Sequence, residues 1–190
     1  MENKLQEEFL KLLDKISGRC NKTELLDFLD KNNYFTAPSS SRYHGAEEEG
    51  NLKHSLKVAD CALDLNHQMN FGLSQESIII VALFHDLGKC KYYGQDNYIE
   101  NILKSGKKSS TKPYTHNPER RGVPHEIASI HMISKFIELS QEEMFAILHH
   151  NGMYGDLKYQ LQGNETKLQT LIHFADLWSS RFLENGDKDE

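Results

Sequence analysis

Cysteine and long hydrophobic runs are both scarce in this chain, and each scarcity excludes a class of protein. The three cysteines, Cys20, Cys61 and Cys90, lie far apart without C-x-x-C spacing. They predict neither a disulfide framework nor a cysteine-type zinc site, and a reducing cytoplasm is the simpler reading. No run approaches the roughly 20 apolar residues of a membrane span, and the opening MENK lacks the apolar segment of a signal peptide. We therefore expect a soluble protein with no membrane partner.

Positive charge is also in short supply. The chain of 190 residues carries 22 lysines and arginines against 28 acidic residues, a formal net charge of -6. Non-specific nucleic-acid binding requires a basic surface, so this balance does not favour nucleic acid as a partner. A local basic pocket for a small phosphate-bearing molecule stays compatible with it.

Apolar residues recur at helical spacing along most of the chain, which predicts helices rather than strands. Ser74 is placed as the N-cap of an apolar segment that reaches about His85, and its length and cap favour a buried helix over a buried strand. Ser140 followed by Glu143 has the sequence of a capping box. Pro124 suits the first position of a helix. The predicted helices lie at about residues 4–17, from 21, 52–63, 74–85, from 124, 140–152 and 165–184.

The organisation of the chain predicts one all-α domain over residues 1–190. No repeat, linker or strand-like alternation divides it. Helices in residues 1–35 precede a core at 40–184, and the core is interrupted by a polar stretch at 89–123. A loop of that length inside a compact domain is usually functional or partly disordered, and we interpret it as a lid.

The ten histidines are the unusual count, and their positions indicate a metal site. Each candidate ligand lies in or at the end of a predicted helix with an apolar face, so a helical bundle would bring these side chains to one point. Imidazoles and carboxylates without thiolates suit iron, manganese, zinc or another borderline cation. A single histidine on an apolar face is more often a core residue, so the joint pattern carries the argument. The candidates are His54, His85, Asp86, His125, His149, His150 and Asp176.

The order H…HD…D in this set resembles the signature of the HD-domain superfamily of metal-dependent phosphohydrolases. It is matched by His54, the pair His85-Asp86, and Asp176. Members with two metal ions carry two further histidines about 25 residues apart, which His125 and His150 match.

The text around the ligands is similar to one branch of that superfamily, found in Gram-positive bacteria and their phages. SRYHGAEEEGNLKHSLKV resembles the segment yHxxxxGGLLxHSxxV, and PHEIASIHMISKFIELSQEEMFAILHHNG resembles the helix pair that follows. The resemblance covers about residues 40–184. Asn51 departs from it, because the branch usually has glycine there. The branch has tryptophan in place of His149, so His150 is assigned as the ligand and His149 as an additional or supporting one.

The resemblance implies an HD-domain helical bundle with a metal site between the helices and two divalent ions as cofactors. Asp86 would bridge the ions, since a carboxylate can span two cations and an imidazole usually cannot. Iron, manganese, zinc, nickel and magnesium are not distinguished by the sequence. The first ion would be held by His54, His85, Asp86 and Asp176, and the second by Asp86, His125 and His150.

The implied activity is hydrolysis of a phosphoester or phosphoanhydride of a nucleotide, as a nucleotidase or phosphodiesterase. A water shared by two ions loses a proton near neutral pH and attacks the phosphorus, which makes Asp86 a catalytic residue. Lys89, which completes the text HDLGK, is predicted to be catalytic and to bind phosphate. Arg120 and Arg121 could also neutralise phosphate, although a solvated basic stretch is the simpler reading. His44 lies near the active site in the resembling motif and is a substrate-binding candidate.

Three other functions stay open at this point. Some proteins of the HD fold with the same six ligands are mixed-valent di-iron oxygenases. The GGLLxH text is also similar to RNA 3′-end exonucleases, and a nucleotide-binding regulator would keep the fold without turnover. A small-molecule nucleotide partner, a homo-oligomer, and the cytoplasm of a bacterial or phage-infected cell complete the expectations.

Overall fold

A computed structural model describes residues 4–16 and 18–184 of the chain, and within them the fold is mostly helical, as predicted. Among these residues, none of the helices combines the length and the apolar content that crossing a bilayer requires. The helices are α1 (Lys4–Leu13), α2 (Lys22–Lys31), α3 (Gly50–Gln68), α4 (Gln75–Phe84), α5 (His125–Ile133), α6 (Gln141–Leu148), α7 (Lys158–Leu161) and α8 (Lys167–Trp178). Residue 17, predicted as the end of the first helix, and residues 1–3 and 185–190 of the predicted domain lie outside the described residues.

Helix starts follow the capping residues closely. Ser74 and Ser140 each accept a hydrogen bond from the backbone N–H three residues on, which satisfies a donor that the first turn leaves unpaired. The capping box of Ser140 and Glu143 is confirmed. Pro124 precedes α5 as its N-cap instead of occupying the first helical position. The last helix is shorter than predicted, because after Trp178 the chain continues as a π-helical turn, Ser179–Leu183.

The apolar segment after Ser74 is a fully buried helix, as expected. Every residue of α4 from Ile78 to Phe84 is inaccessible to solvent. The helix packs against α3, α6 and α8. Full burial of one such large side chain contributes about 2 kcal/mol relative to leaving it exposed. The most apolar element therefore lies at the centre of the bundle, and the residues that follow Phe84 emerge from that centre.

The polar stretch at 89–123 contains a short antiparallel hairpin that the sequence did not predict. Strands β1 (Tyr98–Glu100) and β2 (Tyr114–His116) pair with Ile99 opposite Thr115. Three-residue strands are too short to show an alternating pattern, so the expectation of no strand was wrong here. Backbone bonds from Lys91 to Asn32 and from Tyr114 to Ser41 tie this stretch to the N-terminal part of the chain. Movement of the stretch as a lid stays a prediction.

Candidate metal centre

The His85-Asp86 pair sits at the turn where α4 ends. His85 caps the helix, and a 3₁₀ turn, Leu87–Lys89, follows Asp86. Ser129 on α5 clamps this turn, since its hydroxyl donates to the His85 carbonyl at 2.7 Å and accepts from the Gly88 N–H at 2.8 Å. A Cβ at Gly88 would collide with the carbonyl of His125. The glycine of HDLGK is therefore what lets α5 approach the turn and bring His125 beside Asp86.

Asp86 divides its two carboxylate oxygens between two groups of imidazoles. Its Oδ2 lies 3.4 Å from His85 Nε2 and 3.7 Å from His54 Nε2. Its Oδ1 lies 3.3 Å from His125 Nε2 and 3.5 Å from His150 Nε2. The carboxylate thus lies between two pairs of imidazoles, with one oxygen toward each pair.

Asp176 on α8 completes the set of six. Its Oδ1 is 3.1 Å from His54 Nε2, which is itself 3.2 Å from His85 Nε2. Side chains from α3, α5, α8 and the ends of α4 and α6 therefore meet at one place. Ligand atoms lie within 4.8 Å of one another in three groups made from the predicted residues: His54, His85 and Asp86; His85, His150 and Asp176; Asp86, His125 and His150.

The hydrogen bonds on the far side of the rings direct lone pairs into the cluster. His85 and His150 each follow a helix end, and each Nδ1 lies 2.8–2.9 Å from the carbonyl three residues back, that of Ala82 or Ile147. A carbonyl only accepts, so the ring proton is on Nδ1 and the Nε2 lone pair faces Asp86. His149 instead caps α6 and packs on Phe145 at a ring distance of 4.5 Å. The structure brings His150 to the cluster and does not bring His149.

A cation fits this arrangement of donors. Asp86 Oδ1 is buried and has no hydrogen-bond partner in the structure, which is costly for a carboxylate oxygen. Around it lie imidazole nitrogens, of which those of His85 and His150 direct a lone pair inward, and no thiolate is present among the grouped ligands. An ion would neutralise that oxygen and use those lone pairs, and nitrogen and oxygen donors suit borderline divalent metals.

Strong electrostatic effects act on these groups. Burial alone would raise the pKa of Asp86, but the Lys89 ammonium, 2.7 Å away, and the neighbouring imidazoles hold it well below its usual range. Burial tends to lower the pKa of His54, yet hydrogen bonds to Asp176 and Glu184 raise it to about 10. For His150 burial prevails, with the nearby His85 adding to it, and lowers the pKa to about 3.

The predicted substrate residues lie around the cluster in different roles. Lys89 borders a cavity of about 600 Å³ together with Arg121 and His125. It also borders a second cavity, of about 430 Å³, with His44 and Asp176. Burial lowers the pKa of His44 to about 4, with the charges of His54 and Lys89 acting in the same direction.

Arg120 is used by the protein itself. Its guanidinium donates to the carbonyls of Gly88 and Cys90 on either side of Lys89, and it lies over the ring of Tyr92. These bonds fasten the polar stretch to the His-Asp turn. Contact between Arg120 and a substrate stays a prediction, and the bonds observed here give the residue a structural task.

Sequence reasoning missed residues that touch the candidate ligands, among them Glu126, whose Oε2 lies 3.3 Å from His125 Nδ1. Glu184 accepts a hydrogen bond from His54 Nδ1 at 2.7 Å. The Asn151 amide nitrogen lies 3.1 Å from His150 Nε2 and is held by Glu126 at 2.7 Å. Asn151 follows directly after His150 in the text HHNG, so its proximity could have been inferred. Glu184 carries no such local signal.

Comparison with known proteins agrees with this geometry. The model of the family described as HD domain matches residues 51–178, a range that contains all six converging side chains. An uncharacterized protein of Clostridium beijerinckii is 32% identical over 81 residues, which is 43% of this chain and 48% of the relative. The chain thus spans about half the length of that curated relative. No solved structure matches the chain significantly.

Proposed function

The chain belongs to the HD-domain family, a superfamily of metal-dependent hydrolases, and from that premise we propose that it hydrolyses a phosphoester or phosphoanhydride of a nucleotide. The observation that carries the proposal is the position of Asp86. One oxygen faces His54 and His85, and the other faces His125 and His150. A carboxylate placed in this way suits a pair of divalent ions.

Two ions would share these residues, although His85 and Asp176 also form a group with His150. Asp86 belongs to both sets, while Asp176 joins the set of His54 and His85. Two such ions supply charge neutralisation at a phosphoryl group and a water nucleophile that is available near neutral pH. The finer assignment is that the first ion is held by His54, His85, Asp86 and Asp176 and the second by Asp86, His125 and His150.

The cavities beside the ligands suit an anionic substrate. A volume of about 600 Å³ lies in the range of small-molecule sites, and Lys89, Arg120 and Arg121 contribute positive charge to its wall. Lys89 already pairs with Asp86 at 2.7 Å, so its ammonium is positioned at the boundary between ligands and cavity. It would hold a phosphate oxygen there as a point charge, and Arg121 would contact a more distant phosphate. Tyr98 and Tyr154 line the same cavity, and their rings would stack on a base.

A nucleotide panel tests the proposal. Purified protein is incubated with Mn²⁺, Fe²⁺ or Mg²⁺ and with nucleoside mono- and triphosphates, cyclic mononucleotides and cyclic dinucleotides, and the products are identified by mass spectrometry. We expect at least one nucleotide to be consumed, with a product mass that identifies the broken bond, and no consumption by Asp86→Ala. Silence across the panel with every metal would overturn the proposal.

The di-iron oxygenase alternative uses the same ligands and makes the opposite prediction. It requires bound iron and oxygen uptake without release of phosphate or of a nucleoside. Lys89 between Asp86 and a basic cavity favours phosphate chemistry over it. A cytoplasmic location and a homo-oligomer stay proposals alongside this function.

A further inference from the structure

Two carboxylates contact the imidazole of His54, one at each ring nitrogen. Asp176 Oδ1 lies 3.1 Å from Nε2, and Glu184 Oε1 lies 2.7 Å from Nδ1. His54 is inaccessible to solvent, and the Glu184 side chain is 5% exposed. The Glu184 contact is therefore sheltered from water, which makes it stronger than a surface pair of the same length.

The backbone departs from α-helical geometry at the point that delivers Glu184. The Glu184 N–H donates to the carbonyl of Ser179, five residues earlier, at 3.0 Å, which closes the π-helical turn. Lys57 fixes this turn to α3 by donating to the Leu183 carbonyl at 3.0 Å. In an α-helix, residues eight apart are separated by about 12 Å along the axis. Asp176 and Glu184 nevertheless contact one ring. The π-helical turn is the departure from α-helical geometry that accompanies this contact of Glu184 with His54.

We propose that Glu184 is a positioning residue for the metal ion of the His54 side of the centre. By accepting the Nδ1 proton, the carboxylate fixes the ring orientation and leaves Nε2, which faces Asp176 and His85, as the nitrogen that would bind a cation once its own proton is lost. Its negative charge makes that nitrogen a better donor to a cation, and removing such a supporting group typically weakens metal binding about 10- to 100-fold. The inference rests on the metal-binding part of the proposed function and not on hydrolysis.

A different reading of the same atoms would make Glu184 a direct ligand. His44, His54 and Glu184 have ligand atoms within 4.8 Å of one another. An ion there would need Nδ1 of His54 while Nε2 serves the main cluster, so the ring would have to lose both protons. The 2.7 Å separation of Nδ1 and Oε1 is instead that of a hydrogen bond with an N–H donor.

Metal titration without substrate tests the proposal. Metal-stripped Glu184→Ala and Glu184→Gln are compared with wild type by calorimetric titration with Mn²⁺, with Asp64→Asn, an exposed carboxylate on the same helix as His54, as the control. We expect one of the two ions to bind about 10- to 100-fold more weakly in Glu184→Ala, with the stoichiometry unchanged. Glu184→Gln should fall between, by at least about threefold, because an amide oxygen still accepts the bond but lacks the charge. In the ¹⁵N spectrum of Glu184→Gln, the His54 ring should keep its proton on Nδ1.

Three results would overturn the proposal. Wild-type affinity in Glu184→Ala would remove any role in metal binding. Loss of a full equivalent of metal would identify Glu184 as a ligand. Should Glu184→Ala fail to fold by circular dichroism, Glu184→Gln decides, and an affinity equal to that of Asp64→Asn contradicts the proposal. The two proposals can fail separately. If the wild-type protein consumes no nucleotide but Glu184→Ala binds metal more weakly than wild type, this inference is supported and only the hydrolase proposal is refuted.

Discussion

Asp86 and Glu143 are both buried carboxylates, and they differ in how completely the protein itself satisfies their oxygens. Glu143 at the start of α6 is fully satisfied: Arg19 donates to both of its oxygens at 2.7 and 2.9 Å, and the Ser140 N–H donates at 2.8 Å. Asp86 receives a bond from Lys89 on Oδ2, while its buried Oδ1 has no hydrogen-bond partner. A buried acid that the protein satisfies by itself stabilises the fold. A buried carboxylate with an unpartnered oxygen among imidazoles, as in Asp86, is arranged to bind a cation.

Replacement of Asp86 should give the largest effect. In Asp86→Asn the negative charge that both ligand groups share is lost, so we expect neither ion to survive dialysis and turnover to fall at least about 1,000-fold. Metal content by mass spectrometry and the rate on the best nucleotide of the panel measure this. Asp64→Asn should match wild type in both. An Asp86→Asn protein that keeps both ions would refute the bridging role.

Replacement of Glu143 should reverse the pattern, with a loss of stability and no loss of metal. Glu143→Gln removes the charge that pairs with Arg19 and weakens the capping box, and we expect a loss of about 3 kcal/mol in the free energy of unfolding. Urea denaturation measures it, with Glu142→Gln as the control, since Glu142 is an exposed carboxylate in the same turn of α6. Metal content equal to wild type is part of the expectation. A Glu143→Gln protein that is folded but depleted of metal would contradict the assignment of a purely structural role to Glu143.

These two regions were not equally readable from the sequence. The capping box was found because Ser140 and Glu143 are three residues apart, and helix starts depend on such short-range contacts. The six converging side chains were singled out through the order of a motif, and their role as ligands stays a prediction. Arg19 was not connected with Glu143, because 124 residues separate them and spacing carries no information about that contact. The same holds for Glu184, which reaches His54 across 130 residues and through a π-helical turn.

Metal removal should change the free energy of unfolding by a somewhat smaller amount than the Glu143 replacement, and it tests the same difference between Asp86 and Glu143. An ion that binds the folded state alone stabilises it by about 2.7 kcal/mol when its concentration is 100 times the dissociation constant. We expect wild type and Glu143→Gln to gain comparable stability when Mn²⁺ is added to metal-stripped protein, and Asp86→Asn to gain none. Urea midpoints with and without the ion give the three differences. A gain of the same size in Asp86→Asn would mean that the stabilising ion binds elsewhere.

The smallest expected effect is the pH dependence of the Glu143 contribution. Burial alone would raise the pKa of Glu143, but the bonds from Arg19 and the Ser140 N–H outweigh it and lower the pKa below its usual value. A carboxyl with a depressed folded-state pKa stabilises the protein fully above the unfolded pKa, about 4.3, and loses that contribution as the pH falls through the folded value. The stability difference between wild type and Glu143→Gln should therefore be constant from about pH 8 to 5.5 and shrink below about 4.3.

Urea denaturation of metal-stripped protein across this range measures the difference without interference from the ligands around Asp86. A difference that grows as the pH falls would show that Glu143 is held protonated in the folded protein, and Arg19 would then not be its stabilising partner.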